Sequence, residues 1–250
     1  MINLQRNIVY GPVHSRRLGI SLGLNILPTK IKVCSFDCLY CQYGWTDEFD
    51  DKTLSKILPT KEEILEALEK QLKEMNYQPD YITFSGNGEA TLHPQFGVIV
   101  DGVIELRNKY TPQAKTTILS NSTQVFKPEV REALAKLDER IMKLDAGYED
   151  MFKNYNRPAK YVYLEVITDA LANMKDITIQ TLFTSGPMGN YADKNISAWF
   201  ERIKKINPVF VQIYSLDRGY PSEEISFVSK EELGKIKEML DKENIKSAVY

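Results

Sequence analysis

Two rhythms of apolar residues alternate along this chain. Short runs of consecutive apolar and β-branched residues give way to longer stretches in which apolar positions recur every three or four residues. The first rhythm predicts buried strands and the second predicts amphipathic helices. Strands are expected over Ile20–Ile26, Asp80–Ser85, Thr116–Leu119, Ile141–Leu144, Ile177–Phe183 and Val209–Tyr214. The first helix begins at Thr60-Lys61-Glu62-Glu63, a capping box after Pro59, and presents Ile64, Leu65, Leu68, Leu72 and Met75 on one face. Phe96–Leu106 reads as a nearly all-apolar helix. Pro128, at a first-turn position, opens a third, with Val130, Ala133, Leu134 and Leu137 as its stripe. Tyr161–Met174 and Ile196–Ile206 follow. Ser229-Lys230-Glu231-Glu232 is a second capping box, and it opens a helix carrying Leu233, Ile236 and Leu240.

That order is six βα units. Apolar strands separated by helices imply a parallel sheet covered by helices, and right-handed crossovers curl such a sheet. The expected fold is therefore α/β, a partial (βα)6 TIM-like barrel of parallel strands, open on one side. One domain is expected over residues 1–250. Residues 1–30 hold a Gly/Pro-punctuated lead-in and the first strand, and residues 31–45 form a loop. A polar, acidic stretch from Asp47 to Lys56 should be exposed.

Composition narrows the function classes. The chain has 250 residues, 43% of them hydrophobic, which is ample for one sizeable core. Its net charge of −2 gives no sign of nucleic acid or of an anionic membrane. The first residues lack a basic-then-apolar leader, and no apolar run approaches the ~18 residues of a spanning helix. A cytoplasmic protein without membrane contact is expected.

The chemistry concentrates in one place. Cys34, Cys38 and Cys41 are the only three cysteines, and they lie within eight residues. Three thiolates on one short loop can hold three irons of a [4Fe–4S] cube and leave the fourth iron open, whereas an electron-transfer ferredoxin closes all four corners with cysteine. A Cys3His zinc site using His14 or His93, or three incidental buried thiols, are the alternatives from spacing alone.

The C-x3-C-x2-C spacing is the signature of the radical S-adenosylmethionine (SAM) enzymes, and this chain resembles that family. The likeness extends to Gly11-Pro12-Val13-His14-Ser15-Arg16-Arg17-Leu18-Gly19 before the cysteines and to Gln212-Ile213-Tyr214-Ser215-Leu216-Asp217-Arg218 near the end. Within the family the chain looks like a small oxidoreductase branch grouped with the wyosine-forming tRNA-modification enzymes. It departs from them in having no cysteines for a second cluster and no basic surface. The resemblance implies a partial barrel, a three-cysteine [4Fe–4S] cluster and bound SAM. It further implies reductive cleavage of SAM to a 5′-deoxyadenosyl radical, hydrogen abstraction from a substrate, and a flavodoxin- or ferredoxin-type reductant. The substrate is left as a small molecule, a peptide or protein side chain, or an RNA base. A non-enzymatic iron–sulfur or zinc protein is the competing class.

SAM needs acceptors for its ammonium, donors for its carboxylate and ribose, and aromatic surface for its adenine. In βα barrels such groups sit at the C-terminal ends of strands. Gly86-Asn87-Gly88-Glu89 resembles the family's Gly-Gly-Glu segment, with Asn87 as a departure. Its backbone and Glu89 would meet the methionine amino end. Tyr40 stands where the family places an aromatic against adenine, or else it packs the loop. Ser120 and Asn121 match a ribose-side pair. Arg157 is a candidate for the SAM carboxylate or a solvated surface residue. Lys143 and Asp145 would contact carboxylate or substrate, or pair with each other. His14, Arg16, Arg17, Tyr43, Gln180, Gln212, Asp217 and Arg218 are candidates for substrate contact.

Overall fold

The expected strands pair edge to edge in chain order. The structure is a computed structural model that describes residues 1–46 and 51–250. Along the chain it runs β1 (Val9–Ser15), β2 (Gly19–Leu24), α1 (Asp51–Ile57), α2 (Lys61–Glu74), β3 (Tyr81–Phe84), α3 (Phe96–Tyr110), β4 (Lys115–Ser120), α4 (Pro128–Ala135), β5 (Glu139–Lys143), α5 (Glu149–Tyr155), α6 (Leu164–Ala172), β6 (Ile177–Leu182), α7 (Asp193–Ile206), β7 (Phe210–Tyr214), α8 (Lys230–Lys242) and β8 (Ser247–Val249). One eight-stranded sheet holds them in the order β1 to β8. All pairs are parallel except β1 with β2.

Local sequence explains most boundaries. Both capping boxes form: Glu63 N–H donates to Thr60 Oγ1 at 3.2 Å, and Glu232 N–H donates to Ser229 Oγ at 3.2 Å. Ile64, Leu68 and Leu72 then turn inward, as the stripe requires. Pro128 occupies the first turn of α4. Register aligns apolar side chains across the sheet, with Leu24 beside Phe84 and Phe84 beside Ile118. Trp199 of α7 is fully buried and donates Nε1–H to Leu144 O at 3.0 Å, so the largest core side chain is satisfied. Full burial of each such apolar side chain contributes about 1.5–3 kcal/mol.

Several expectations are corrected. The lead-in holds a strand that was not expected, β1, antiparallel to β2, and a register shift between Tyr10 and Val13 absorbs Gly11 and Pro12. With β1 at one edge and β8, parallel to β7, at the other, the sheet has eight strands, two more than expected. Helix α5 escaped the periodicity reading because it has only seven residues. Helix α6 begins at Leu164, not Tyr161, a residue at φ 68° and 86% exposed. Helix α3 runs on to Tyr110. The acidic stretch begins at Asp47, outside the described residues; its described part belongs to α1 and is mostly exposed from Thr53 onward. No helix among the described residues is long and apolar enough to cross a membrane.

The β3 exit fixes the site. Gly88 has φ 138°, and a Cβ there would lie 1.7 Å from Val33 O. Gly88→Ala should therefore cost roughly 2–4 kcal/mol, read as a lower thermal midpoint. Gly234 of α8 has nothing within 4 Å of a built Cβ. Gly234→Ala should raise stability by about 0.5–1 kcal/mol. Equal effects at the two positions would contradict this account.

Candidate active site

The segment carrying the three cysteines leaves the C-terminal end of β2 and has little regular structure. Its backbone is instead paired on both sides. Val33 N–H donates to Asn87 O at 2.9 Å, and Glu89 N–H donates back to Val33 O at 2.9 Å. On the other side Asp37 N–H reaches Asn156 O at 2.9 Å, Leu39 N–H reaches Tyr155 O at 3.1 Å, and Ala159 N–H reaches Ser35 O at 2.9 Å. Cys41 N–H closes a turn onto Cys38 O at 3.1 Å.

Side chains then gather in two groups, one at each end of the loop. Beside Cys34, the Glu89 carboxylate accepts from Thr91 N–H at 3.0 Å, Thr91 Oγ1, Ser120 Oγ at 3.0 Å and Asn121 N–H. Three of these fall on Oε1 and only Asn121 N–H on Oε2. Burial pushes the Glu89 carboxyl upward, against those donors. Asn121 Nδ2 donates to Ser35 Oγ at 2.9 Å and points at Cys34 Sγ from 3.6 Å.

Beside Cys38, Asn156 Nδ2 lies 3.4 Å from Cys38 Sγ, 3.2 Å from Tyr40 OH and 2.8 Å from Asp145 Oδ2. Tyr40 OH donates to Asp145 Oδ2. Leu182 N–H donates to Asp145 Oδ1 at 2.9 Å, and Lys143 Nζ lies 3.4 Å from the same atom. Lys143 also donates to Tyr214 OH at 3.0 Å and stands 5.0 Å from the Tyr40 ring centre. Burial draws the Lys143 pKa down, but Asp145 and Tyr214 outweigh it and the net direction is upward, so the ammonium keeps its proton. Burial and the Asp145 carboxylate hold the Tyr40 phenol well above its usual value.

The structure thus brings together Cys34, Glu89, Ser120 and Asn121, and separately Cys38, Tyr40, Lys143 and Asp145. Gly86 and Gly88 shape the turn between β3 and the loop. Two expected residues direct their side chains to other partners. The Asn87 side chain is fully buried and bonds Gln5 and Pro28, as an internal connector. Arg157 is exposed, with its guanidinium carbon 4.9 Å from the Trp45 ring centre. Its neighbour Asn156 faces the cysteines instead; the helical spacing of Phe152 and Tyr155 ahead of it was the signal available. Sequence reasoning also missed Lys32, which is buried and donates to Gly44 O at 2.7 Å. Burial lowers the Lys32 pKa, but the sulfurs of Cys41 and Cys34 reverse the direction to upward.

The remaining candidates are spread out. His14 is exposed on β1, opposite Ile20 near the start of β2. Both ring nitrogens of His93 are engaged, Nε2 with Pro59 O at 2.9 Å and Nδ1 with Gln95 N–H at 3.1 Å. Arg16 and Asp217 pair with each other at 2.9 Å on the surface. Tyr43 accepts from Gln5, Arg218 donates to Gln42, and Gln180 donates to Gln212 at 3.3 Å. Among the described residues no three of His, Cys, Asp and Glu converge as they would around one metal ion. A cube binds its thiolates at separate irons and does not require that convergence.

A family model described as the radical SAM superfamily matches residues 29–215, which span the cysteine loop and five of the parallel strands after it. This chain belongs to the radical SAM superfamily. Membership implies an enzyme that holds a [4Fe–4S] cluster and SAM. A UPF0026 protein of Methanocaldococcus jannaschii is 32% identical over 80% of this chain and 61% of its own length. A protein of Brachyspira hyodysenteriae described as GTPase Obg is 29% identical over 95% of this chain, but the chain spans only 34% of that protein. The solved structure of TYW1 with a lysine–pyruvate adduct bound superposes with a TM-score of 0.62 at 17% identity, covering 89% of this chain and 73% of that one, a likeness of fold.

The thiols carry a pH dependence. Burial pushes Cys34 and Cys38 up to about 12, the latter helped by Asp145. In an unfolded chain a thiol titrates near about 8.5. The protonated thiols therefore favour the metal-free fold below that value, and the contribution is lost as pH rises toward 12. Metal-free protein should lose thermal stability between about pH 8 and pH 11, and a Cys34→Ser, Cys38→Ser double variant should lose less. Buried tyrosines titrate in both forms, so the difference isolates the thiols. Identical pH profiles for the two proteins would refute the assignment.

Proposed function

We infer that Cys34, Cys38 and Cys41 hold three irons of a [4Fe–4S] cluster and that the protein uses it with SAM for oxidoreductase-type hydrogen abstraction. The observation that carries this reading is the loop itself, with three thiols on a backbone paired on both edges and amide donors at two of the sulfurs. The donor set fits the group. Three soft sulfurs suit iron–sulfur chemistry, and N–H groups aimed at sulfur favour its added charge on reduction. The histidines weigh against zinc, since His93 has both nitrogens engaged and His14 stands near the start of β2, away from the loop at that strand's other end.

Bound together, cluster and SAM supply reductive cleavage of the SAM C–S bond and hydrogen abstraction from a C–H bond. The chain's residues would orient and shield these groups. Glu89 Oε2, with a single donor, retains acceptor capacity for the SAM ammonium. Ser120 and Asn121 would serve the ribose side, and the Tyr40 ring the adenine. The SAM carboxylate falls to Lys143, held charged by Asp145 and Tyr214, rather than to exposed Arg157. A flavodoxin- or ferredoxin-type protein would supply the electron.

Anaerobically reconstituted protein given SAM and dithionite should form 5′-deoxyadenosine above a protein-free control, and Cys38→Ala should abolish it. A fully loaded cluster that yields none, with SAM demonstrably bound, would count against the reading. Glu89→Gln should leave iron content intact and weaken SAM binding about tenfold, the loss of one charge-assisted hydrogen bond. Unchanged affinity would remove Glu89 from the SAM site.

A further inference from the structure

The barrel has a second concave site, at the end away from the cysteines. Tyr81, Arg140, Thr178 and Phe210 stand at or near the N-terminal ends of β3, β5, β6 and β7, and with Arg17 and Gln212 they line a cavity of about 490 Å³. The cysteine loop follows the opposite, C-terminal end of β2. In βα barrels this N-terminal face ordinarily serves stability alone.

Two guanidiniums set the character of this cavity. Arg17 occupies the turn between β1 and β2, with its guanidinium carbon 4.7 Å from the Tyr214 ring centre. Among the described residues its side chain has no hydrogen-bond or ion-pair partner, and its Nη1 is buried without one. Arg140 donates Nη1–H to Leu137 O at 2.8 Å and Nη2–H to Asp176 O at 2.9 Å, and among the described residues it leaves Nε buried and unpaired and meets no carboxylate. Two acids on the wall are committed elsewhere. Asp138 pairs with Arg107 at 2.8 Å, and Glu139 pairs with Lys115 at 2.9 Å and Tyr81 OH at 2.7 Å. Among the acidic side chains lining the cavity, that leaves exposed Asp176 without such a pairing. Gln212 accepts from Gln180 through Oε1 and keeps its amide hydrogens for another partner.

We propose that this cavity binds a small oxyanion-bearing molecule, a carboxylate or a phosphate, with Arg17 as its anchor. Among the described residues the Nε and Nη2 donors of Arg17 also have no partner and, unlike Nη1, are not buried, so an oxyanion can take them. The planar fork of arginine matches carboxylate and phosphate oxygens alike. Arg140 adds a second positive charge and Gln212 a neutral donor. The site adjoins the Lys143 group through Tyr214, whose ring faces Arg17 and whose hydroxyl accepts from Lys143, but binding there does not require the radical chemistry.

Calorimetric titration of the reconstituted full chain with inorganic phosphate, and separately with succinate, tests the proposal at constant ionic strength set by chloride. At least one anion should bind saturably at one site. Phosphate alone marks a phosphoryl ligand, and succinate alone marks a carboxylate. Arg17→Gln should weaken binding about tenfold, and Arg17→Lys, which keeps the charge and loses the fork, should fall between. Asp176→Asn suits a position with φ 53° and should tighten binding about threefold, a gain that misfolding cannot produce. No saturable binding of either anion overturns the proposal, and so does equal affinity in wild type, Arg17→Gln and Asp176→Asn. Binding is read without turnover, so its failure and a failure of the radical reading are distinguishable.

Discussion

The site depends on how a loop with little secondary structure satisfies its backbone. Buried peptide groups need partners, and residues 33–39 find theirs in two separate places. On one side they take the exit of β3, which is why Gly88 must be bare there. On the other they take the end of α5 and the segment after it. The loop behaves as an extra strand laid between two turns. Everything nearby inherits that placement. Glu89 can reach the exit of β4 because its own N–H is held by Val33, and Asn156 faces Cys38 because its carbonyl is held by Asp37.

Charge is concentrated in the same volume. Lys32, Glu89, Lys143 and Asp145 are wholly or largely out of water, where an unpaired charge is expensive. Each is offset differently: Lys32 by a carbonyl and nearby sulfurs, Glu89 by neutral donors alone, and Lys143 with Asp145 by each other. Such groups are poor stabilisers compared with apolar side chains of equal volume. Their accumulation at one end of the sheet fits a requirement of chemistry rather than of folding.

The sequence made the parallel strands legible because they are short runs rich in β-branched and aromatic residues, set between longer helical stripes and turn residues. It hid β1, where Gly-Pro punctuation signals a turn and only a bulge makes a strand possible. It hid α5, too short for its periodicity to register. Among site residues, cysteine spacing and the residues at strand exits were readable. The choice between Asn156 and Arg157 was not, because it depends on which residue follows the last turn of a seven-residue helix. Asn87 reads in the sequence for its backbone in the glycine turn; what the sequence does not show is that its side chain bonds Gln5 and Pro28, far away in sequence.

One amide near the cysteines has more claims on it than it can meet. Nδ2 of Asn156 carries two hydrogens, yet the sulfur of Cys38, the oxygen of Tyr40 and a carboxylate oxygen of Asp145 all lie within reach. Whichever acceptor holds the most negative charge draws the hydrogens first. Asn156 thereby joins the sulfur of Cys38 to Asp145, and Asp145 to Lys143, in one continuous chain of polar contacts: a cysteine and a buried cation are linked through two intervening side chains.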